Sequence, residues 1–240
     1  MYSGYNLQGI IRRGTINTMH MFEKFGHYSQ NVGNMNNNGY KAVRFDDVLN
    51  EQGYVTGAIR TNHAQGSFQL TQSPLDIAIK GAGYIPVTSA GGEIYYTRDG
   101  NLTLNEEGYL TTTTGEIVAG GIQIDATSVK TEIRPNGEVY TYKDLAGEGE
   151  YCGTIPLVVF PNPEGLKDVG RNCYEVTDKC GEPVLIQEHN RIAQYGIERS
   201  NVDIFQTVND IMRLNTSLLA STTLMKTIGD MYDKAINIRE

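Results

Sequence analysis

The sequence has no tryptophan, only three cysteines, and no apolar run near the roughly 18 residues of a membrane span. Cys152, Cys173 and Cys180 form no C-x-x-C pair and no histidine stands at metal-ligand spacing from them, so zinc is not expected. Cys173 and Cys180 could meet across neighbouring strands as a disulfide; the other reading is buried or free thiols. Without tryptophan, a glycan-binding surface would have to stack sugars on the 15 tyrosines alone. Basic clusters are missing too. Net charge is −8 and no stretch gathers several Lys or Arg on one face, so a nucleic-acid partner is not expected. Arg12 and Arg13 follow Ile10 and Ile11 directly, which breaks any apolar core of a signal peptide; no Sec-type address is expected, and other export routes stay open.

Signs of catalysis are absent as well. His20, His27, His63 and His189 are scattered, and no serine stands in a G-x-S-x-G turn. "GAGYIP" and "VAGGIQ" lack the phosphate-binding glycine patterns and read as strand-end turns. "DGNLTLNEEG" from Asp99 invites a calcium loop, but Leu104 occupies the sixth position, where glycine is needed. No catalytic, cofactor-binding or metal site is expected.

What remains is a chain of 240 residues, 39% hydrophobic, able to build one or two globular domains with a core. From about 66 to 190, short runs rich in Val, Ile, Tyr and Thr recur between Gly, Asn, Asp and Pro, among them "LDIAIKG", "EIYYTRDGNLTL" and "TEIRPNGEVYTY". That spacing predicts an all-β region. Asp99-Gly100 and Asn136-Gly137 suit tight hairpin turns.

From Ser200 to about Ile238 there is no proline, and Ile204, Ile211, Leu218, Met225 and Tyr232 recur every seventh residue. This predicts a long helix, with a partner row Val208, Asn215, Thr222, Gly229 and Ile236 and a flanking row Phe205, Met212 and Leu219. Ser200 or Asn201 can cap it, with Asp203 in its first turn. Small residues (Ala220, Ser221, Thr222, Gly229) permit close helix approach, and Asn215 would select one register. Near the start, Met21, Phe25, Tyr28, Val32 and Met35 alternate by four and three. The expected fold is mainly β with long terminal helices. Residues 1–40 form a helical segment, 41–65 a linker and 66–192 a central all-β domain, and 193–240 a helix packing with 1–40 as a coiled-coil-like bundle.

"NVGNMNNNGYK", residues 31–41, is the densest local signal. Asn36 to Gly39 read as a helix stop and turn, since Asn and Gly tolerate the left-handed conformation. Asn31 and Asn34 fall inside the periodic segment, where asparagine gains nothing by propensity, so their amides are expected to bond to neighbouring helices of an assembly.

The segment Ser29–Lys41, "SQNVGNMNNNGYK", resembles the N-terminal signature of bacterial flagellar rod and hook proteins. Asn31, Asn34, Asn36, Gly39 and Lys41 match by identity, and Val32, Met35 and Tyr40 match in character. "QGSFQLTQSPLDIAIKGAGYIPV", the turn Tyr96–Gly100, "FPNPEGLKDVG" and "IERSNVDIFQTV" are similar to further family segments, in the family's order. Length and the Asn-Pro-Glu-Gly segment are nearest the distal-rod branch, with the proximal-rod branch next. The chain departs from the family in placing Gln65 only 24 positions after Lys41, and in having "NTSLLAS" where the family carries Arg and Tyr.

The resemblance implies a structural subunit of the basal-body rod, polymerising into a helical tube that transmits torque from motor to hook. Implied partners are further copies, other rod and hook subunits, surrounding ring proteins and the flagellar export apparatus. The implied place is periplasmic, reached without a cleaved signal, with terminal segments poorly ordered until assembly. The implied interface residues are Asn31, Val32, Asn34, Met35, Asn36, Gly39, Tyr40, Ser200, Asn201 and Val202, with Ile204, Val208, Ile211, Asn215, Leu218, Met225 and Tyr232 of the C-terminal helix. A secreted β-rich binding module that does not polymerise is the alternative.

Overall fold

A computed structural model describes residues 7–49, 55–125, 127–144, 147–186 and 190–237. Two helices, α1 (Leu7–Gly33) and α2 (Ile204–Asn237), flank a β-rich region, as the composition predicts. The chain divides into two compact units, one of residues 1–33, 43–61 and 203–240, the other of 34–42 and 62–202.

The helical unit contains more than helices. Residues expected to be a linker form an antiparallel hairpin, β1 (Val43–Leu49) and β2 (Val55–Thr61), paired from Val43↔Thr61 to Leu49↔Val55. Residues 50–54 of that linker expectation lie outside the described residues. The hairpin is legible in hindsight: Val43 and Phe45 alternate with Arg44 and Asp46, and both apolar side chains are buried. Gly57 makes room for the Phe45 ring, because a Cβ there would overlap it. α1 covers the same ring from the other element, with the His27 ring 6.1 Å away and Lys24 Nζ 5.1 Å from the Phe45 centroid.

α1 and α2 pack antiparallel. Thr18 Oγ1 lies 3.3 Å from Ser221 Oγ, and Gly14 sits beneath Met225, so rising numbers on one helix meet falling numbers on the other. On α2 the covered row is Ile204, Thr207, Ile211, Leu214, Leu218, Ser221, Met225 and Ile228. The seam at Ile204, Ile211, Leu218 and Met225 thus stands where the sequence puts it, but its partner row lies one residue earlier than expected. Val208, Asn215, Thr222 and Ile236 are exposed, and so is Tyr232; of the expected partner row only Gly229 is half-buried. The reason is geometric: i+3 and i+4 both neighbour a seam residue on a helix, and only the opposing surface chooses between them. Asp203 caps α2, its Oδ1 accepting the Gln206 N–H at 3.0 Å, in place of the expected Ser200 or Asn201. α1 ends at Gly33, so Met35, expected on its apolar row, lies beyond the helix and is exposed.

In the β-rich unit every strand pairing is antiparallel. A seven-stranded sheet runs in the order Lys167–Gly170, Cys173–Glu175, Ile94–Thr97, Ile85–Thr88, Ile117–Val118, Leu110–Thr112 and Leu102–Leu104. A three-stranded sheet joins Lys130–Ile133, Glu138–Tyr142 and Glu150–Thr154. Ile77, Ile85, Val87, Leu110, Val118, Ile122, Val139, Ile155 and Leu157 are wholly buried in one core, and Tyr84, Tyr96, Phe160 and Tyr174 pack edge to face in a second.

Of the two expected hairpins, one forms. Asn136-Gly137 turns between paired strands, with Gly137 at φ +89°. Asp99-Gly100 does not, because Ile94–Thr97 and Leu102–Leu104 pair with other strands. Gly100 serves close approach instead: its carbonyl accepts the Ile77 N–H at 2.9 Å, and a Cβ would strike Ile77 O. Cys173 and Cys180 are buried and free, with no disulfide between them.

Candidate functional site

The signature asparagines act as clasps. Asn31, on the last turns of α1, is buried and grips one residue of β1 with both ends of its amide: Nδ2 donates to Val43 O at 2.7 Å and Oδ1 accepts Val43 N–H at 2.8 Å. A side-chain amide thereby stands in for a neighbouring strand. Sequence alone assigns this amide to neighbouring helices of an assembly; within the chain it engages β1. Asn34 is half-buried and its Oδ1 accepts Asn37 Nδ2 at 2.6 Å within the turn. Asn36 Oδ1 accepts the Arg199 guanidinium at 3.1 Å.

Within the β-rich unit, Asn201 performs the same task on two segments. Its Oδ1 accepts Ala42 N–H at 2.7 Å, and its Nδ2 donates to Asn62 O at 2.7 Å and Ala64 O at 2.8 Å. Asn62 N–H in turn donates to Ala42 O at 2.8 Å. Gly39 adopts φ +69° and donates to Glu198 O at 2.8 Å; a Cβ there would lie 2.6 Å from Asp99 N. Tyr40 is buried, Val32 and Val202 are half-buried, and Ser200 Oγ accepts Val202 N–H at 3.3 Å.

Beside this clasp lies a charge cluster that sequence reasoning did not single out. Glu198, 1% exposed, holds Lys41 through Oε1 at 2.5 Å and Arg98 through Oε2 at 2.7 Å, and Oε1 also accepts Gly66 N–H at 2.8 Å. Lys41 Nζ donates a further bond to Ala64 O at 2.7 Å, and Arg98 to Gly83 O at 2.7 Å and Gly81 O at 2.9 Å. Each charge of this cluster is therefore both paired and hydrogen-bonded, the condition under which burial is tolerated. Burial draws the Lys41 ammonium below its ordinary pKa, against the opposing pull of Glu198. The available signal was that all three residues stand inside the quoted segments, at "GYK", "TRDG" and "IERSN". Nothing in one dimension says that those segments meet.

Two further groups nearby are perturbed. His63 is held neutral, with its pKa pushed down to about 4, first by burial and then by the Lys41 charge; its Nδ1 is 2.7 Å from Tyr84 Oη. Burial pushes the Asp99 carboxyl up to about 6, and its Oδ1 accepts Asn101 N–H at 3.0 Å. His189 lies outside the described residues.

The groups of this site face each other, with bonds that fix chain crossings. It is a packing site. The family model for the flagellar hook protein FlgE/F/G D1 domain matches residues 78–141. The flagellar basal-body rod protein FlgG of Caulobacter vibrioides is 28% identical, covering 88% of this chain and 92% of its own. FlgG of Bacillus subtilis is 25% identical (87% and 90%), and the rod protein FlgF of Mesorhizobium japonicum is 28% identical (87% and 88%). The chain is thus similar to flagellar rod and hook proteins over most of its length.

Proposed function

We propose that this protein is a structural subunit of the bacterial flagellar basal-body rod that self-assembles into a helical tube and transmits torque from motor to hook. The rod-protein relatives, aligned over most of the chain, support the structural role. The observation that carries self-assembly is a second apolar stripe on α2. Phe205, Val208, Met212 and Leu219 follow helical spacing beside the covered row, and α1 leaves them exposed, Phe205 at 82%. A contiguous stripe of this kind on a helix is suited to contacts between copies that do not close, which generate filaments. Asn215 and Thr222, exposed along the same stripe, are placed to give such contacts polar register.

The distal-rod role is supported by length and by the Asn-Pro-Glu-Gly segment, the proximal role being second. Partners under this reading are further copies, other rod and hook subunits, the surrounding rings and the export apparatus, in the periplasm, with no catalytic activity. Among the described residues no helix is long and apolar enough to cross a membrane.

Sedimentation of the full chain against Phe205→Ser/Met212→Ser/Leu219→Ser tests the reading. The variant is expected to lose concentration-dependent assembly while keeping its helical circular dichroism. Equal assembly of both would refute the proposed stripe, and a wild-type chain that stays monomeric while binding glycan would favour the β-rich binding module.

A further inference from the structure

The two apolar clusters of the β-rich unit draw no residue from 39–42, 62–66 or 198–202. Those segments are held mainly by polar bonds, most of which converge on two neighbouring side chains; Gln65, which bonds to Ile79 and Gly81, and His63, whose ring rests on Tyr84 and Tyr174, touch the core directly. Glu198 takes Lys41, Arg98 and Gly66 N–H on its carboxylate and Gly39 N–H on its carbonyl; Asn201 takes Ala42, Asn62 and Ala64. Segments 39–42 and 62–66 are also where the chain leaves and re-enters this unit, before β1 and after β2.

We propose that Glu198 is a positioning residue, the catch of a latch that orders segments 39–42 and 62–66 onto a β core able to form without them. Arg98 is the fixed half of the catch. It reaches Glu198 from the end of a central strand and is anchored on the Gly81 and Gly83 carbonyls, which belong to the turn between two core strands. Lys41 is the moving half. Its partner lies 157 positions away, so it can be fixed only when nearly all of the chain is available. Until then the cost of burying an ammonium has no compensation, and the signature segment stays open. Under the rod reading, this delays the fixing of the N-terminal signature until the C-terminal end of the β-rich unit has arrived; the latch itself does not depend on that reading.

Residue-resolved hydrogen exchange on the full-length chain tests the latch. Lys41→Met keeps most of the aliphatic stem, removes one cation and leaves the Arg98–Glu198 pair balanced. Exchange at Gly39, Ala42, Asn62 and Gly66 is expected to accelerate at least tenfold, while the strands Ile77–Ile79 and Ile85–Thr88 stay within twofold of wild type. Latch amides that also stay within twofold would overturn the proposal. So would equal acceleration of the strands, which would make the cluster part of the core. Glu198→Gln strands two buried cations and can unfold the unit outright, so Asn201→Ala is the second variant; it is expected to accelerate Ala42 and Asn62 and spare the strands, and failure to do so overturns the proposal equally. Sedimentation of the same samples separates this test from the rod reading: wild-type assembly speaks to the function, segment-specific exchange to the latch.

Discussion

Replacing Asn31 with leucine tests the clasp that joins α1 to β1. The side chains are close in size, so the change removes two hydrogen bonds without opening a large cavity. Val43, itself buried, would keep an N–H and a C=O with no replacement partner near the apolar side chain. Leaving a buried polar group unpaired costs about 1–3 kcal/mol, and two such groups on one residue share part of that cost through a small shift toward water. Leucine is the better helix former by about 0.5 kcal/mol, which offsets little. The expected net loss is about 2–4 kcal/mol in the helical unit. Urea unfolding at neutral pH, followed by circular dichroism at dilutions where no polymer sediments, measures it, and exchange of the Val43 amide locates it. A loss below about 0.5 kcal/mol would refute the clasp, since that is the scale of ordinary surface substitutions. Asn34→Leu is the control: its amide is half-buried within a turn, and a loss of about 1 kcal/mol or less is expected.

Two titrations in the β-rich unit oppose each other. His63 has a folded pKa depressed to about 4, so its contribution is present above its unfolded value near 6.5 and lost as pH falls toward 4. Asp99 has a folded pKa raised to about 6, so its contribution is full below its unfolded value of 3.8 and lost as pH rises through 6. Between pH 4 and 6 the two slopes partly cancel. Asp99→Asn is therefore expected to steepen the loss of stability on acidification, and His63→Gln to turn it toward a gain; urea midpoints at pH 4.5 and 6.5 decide, and unchanged slopes would contradict both assignments. Gly39→Ala places a Cβ in the left-handed region and 2.6 Å from Asp99 N, against backbone that cannot rotate away. A loss above about 2 kcal/mol is expected, more than the left-handed penalty alone, and a thermal shift of the β-rich unit measures it. Gly14→Ala meets only the flexible Met225 side chain, so near-neutral stability is expected there by the same measurement.

The sequence by itself determined the features that depend on near neighbours. The seven-residue recurrence of Ile204, Ile211, Leu218 and Met225 defined a helix and one edge of its buried face, because a helix repeats its faces within two turns. Short β-branched runs between turn residues defined the β-rich middle, and Asn136-Gly137 its hairpin, since the turn chemistry is local. The hairpin at Val43–Thr61 was written in the same alternation but was masked by its charges, Arg44, Asp46, Asp47 and Arg60, which read as a solvated linker. Tertiary structure alone decided three things. It chose Thr207, Leu214, Ser221 and Ile228 over the row one residue on, because Gly14 and Thr18 of α1 face that side. It turned Asn31 inward onto Val43, a use that depends on a strand twelve residues away in sequence. And it gathered Lys41, Arg98 and Glu198 from three distant segments into one buried cluster: charges in a sequence look like surface until the fold removes their water and supplies partners in its place.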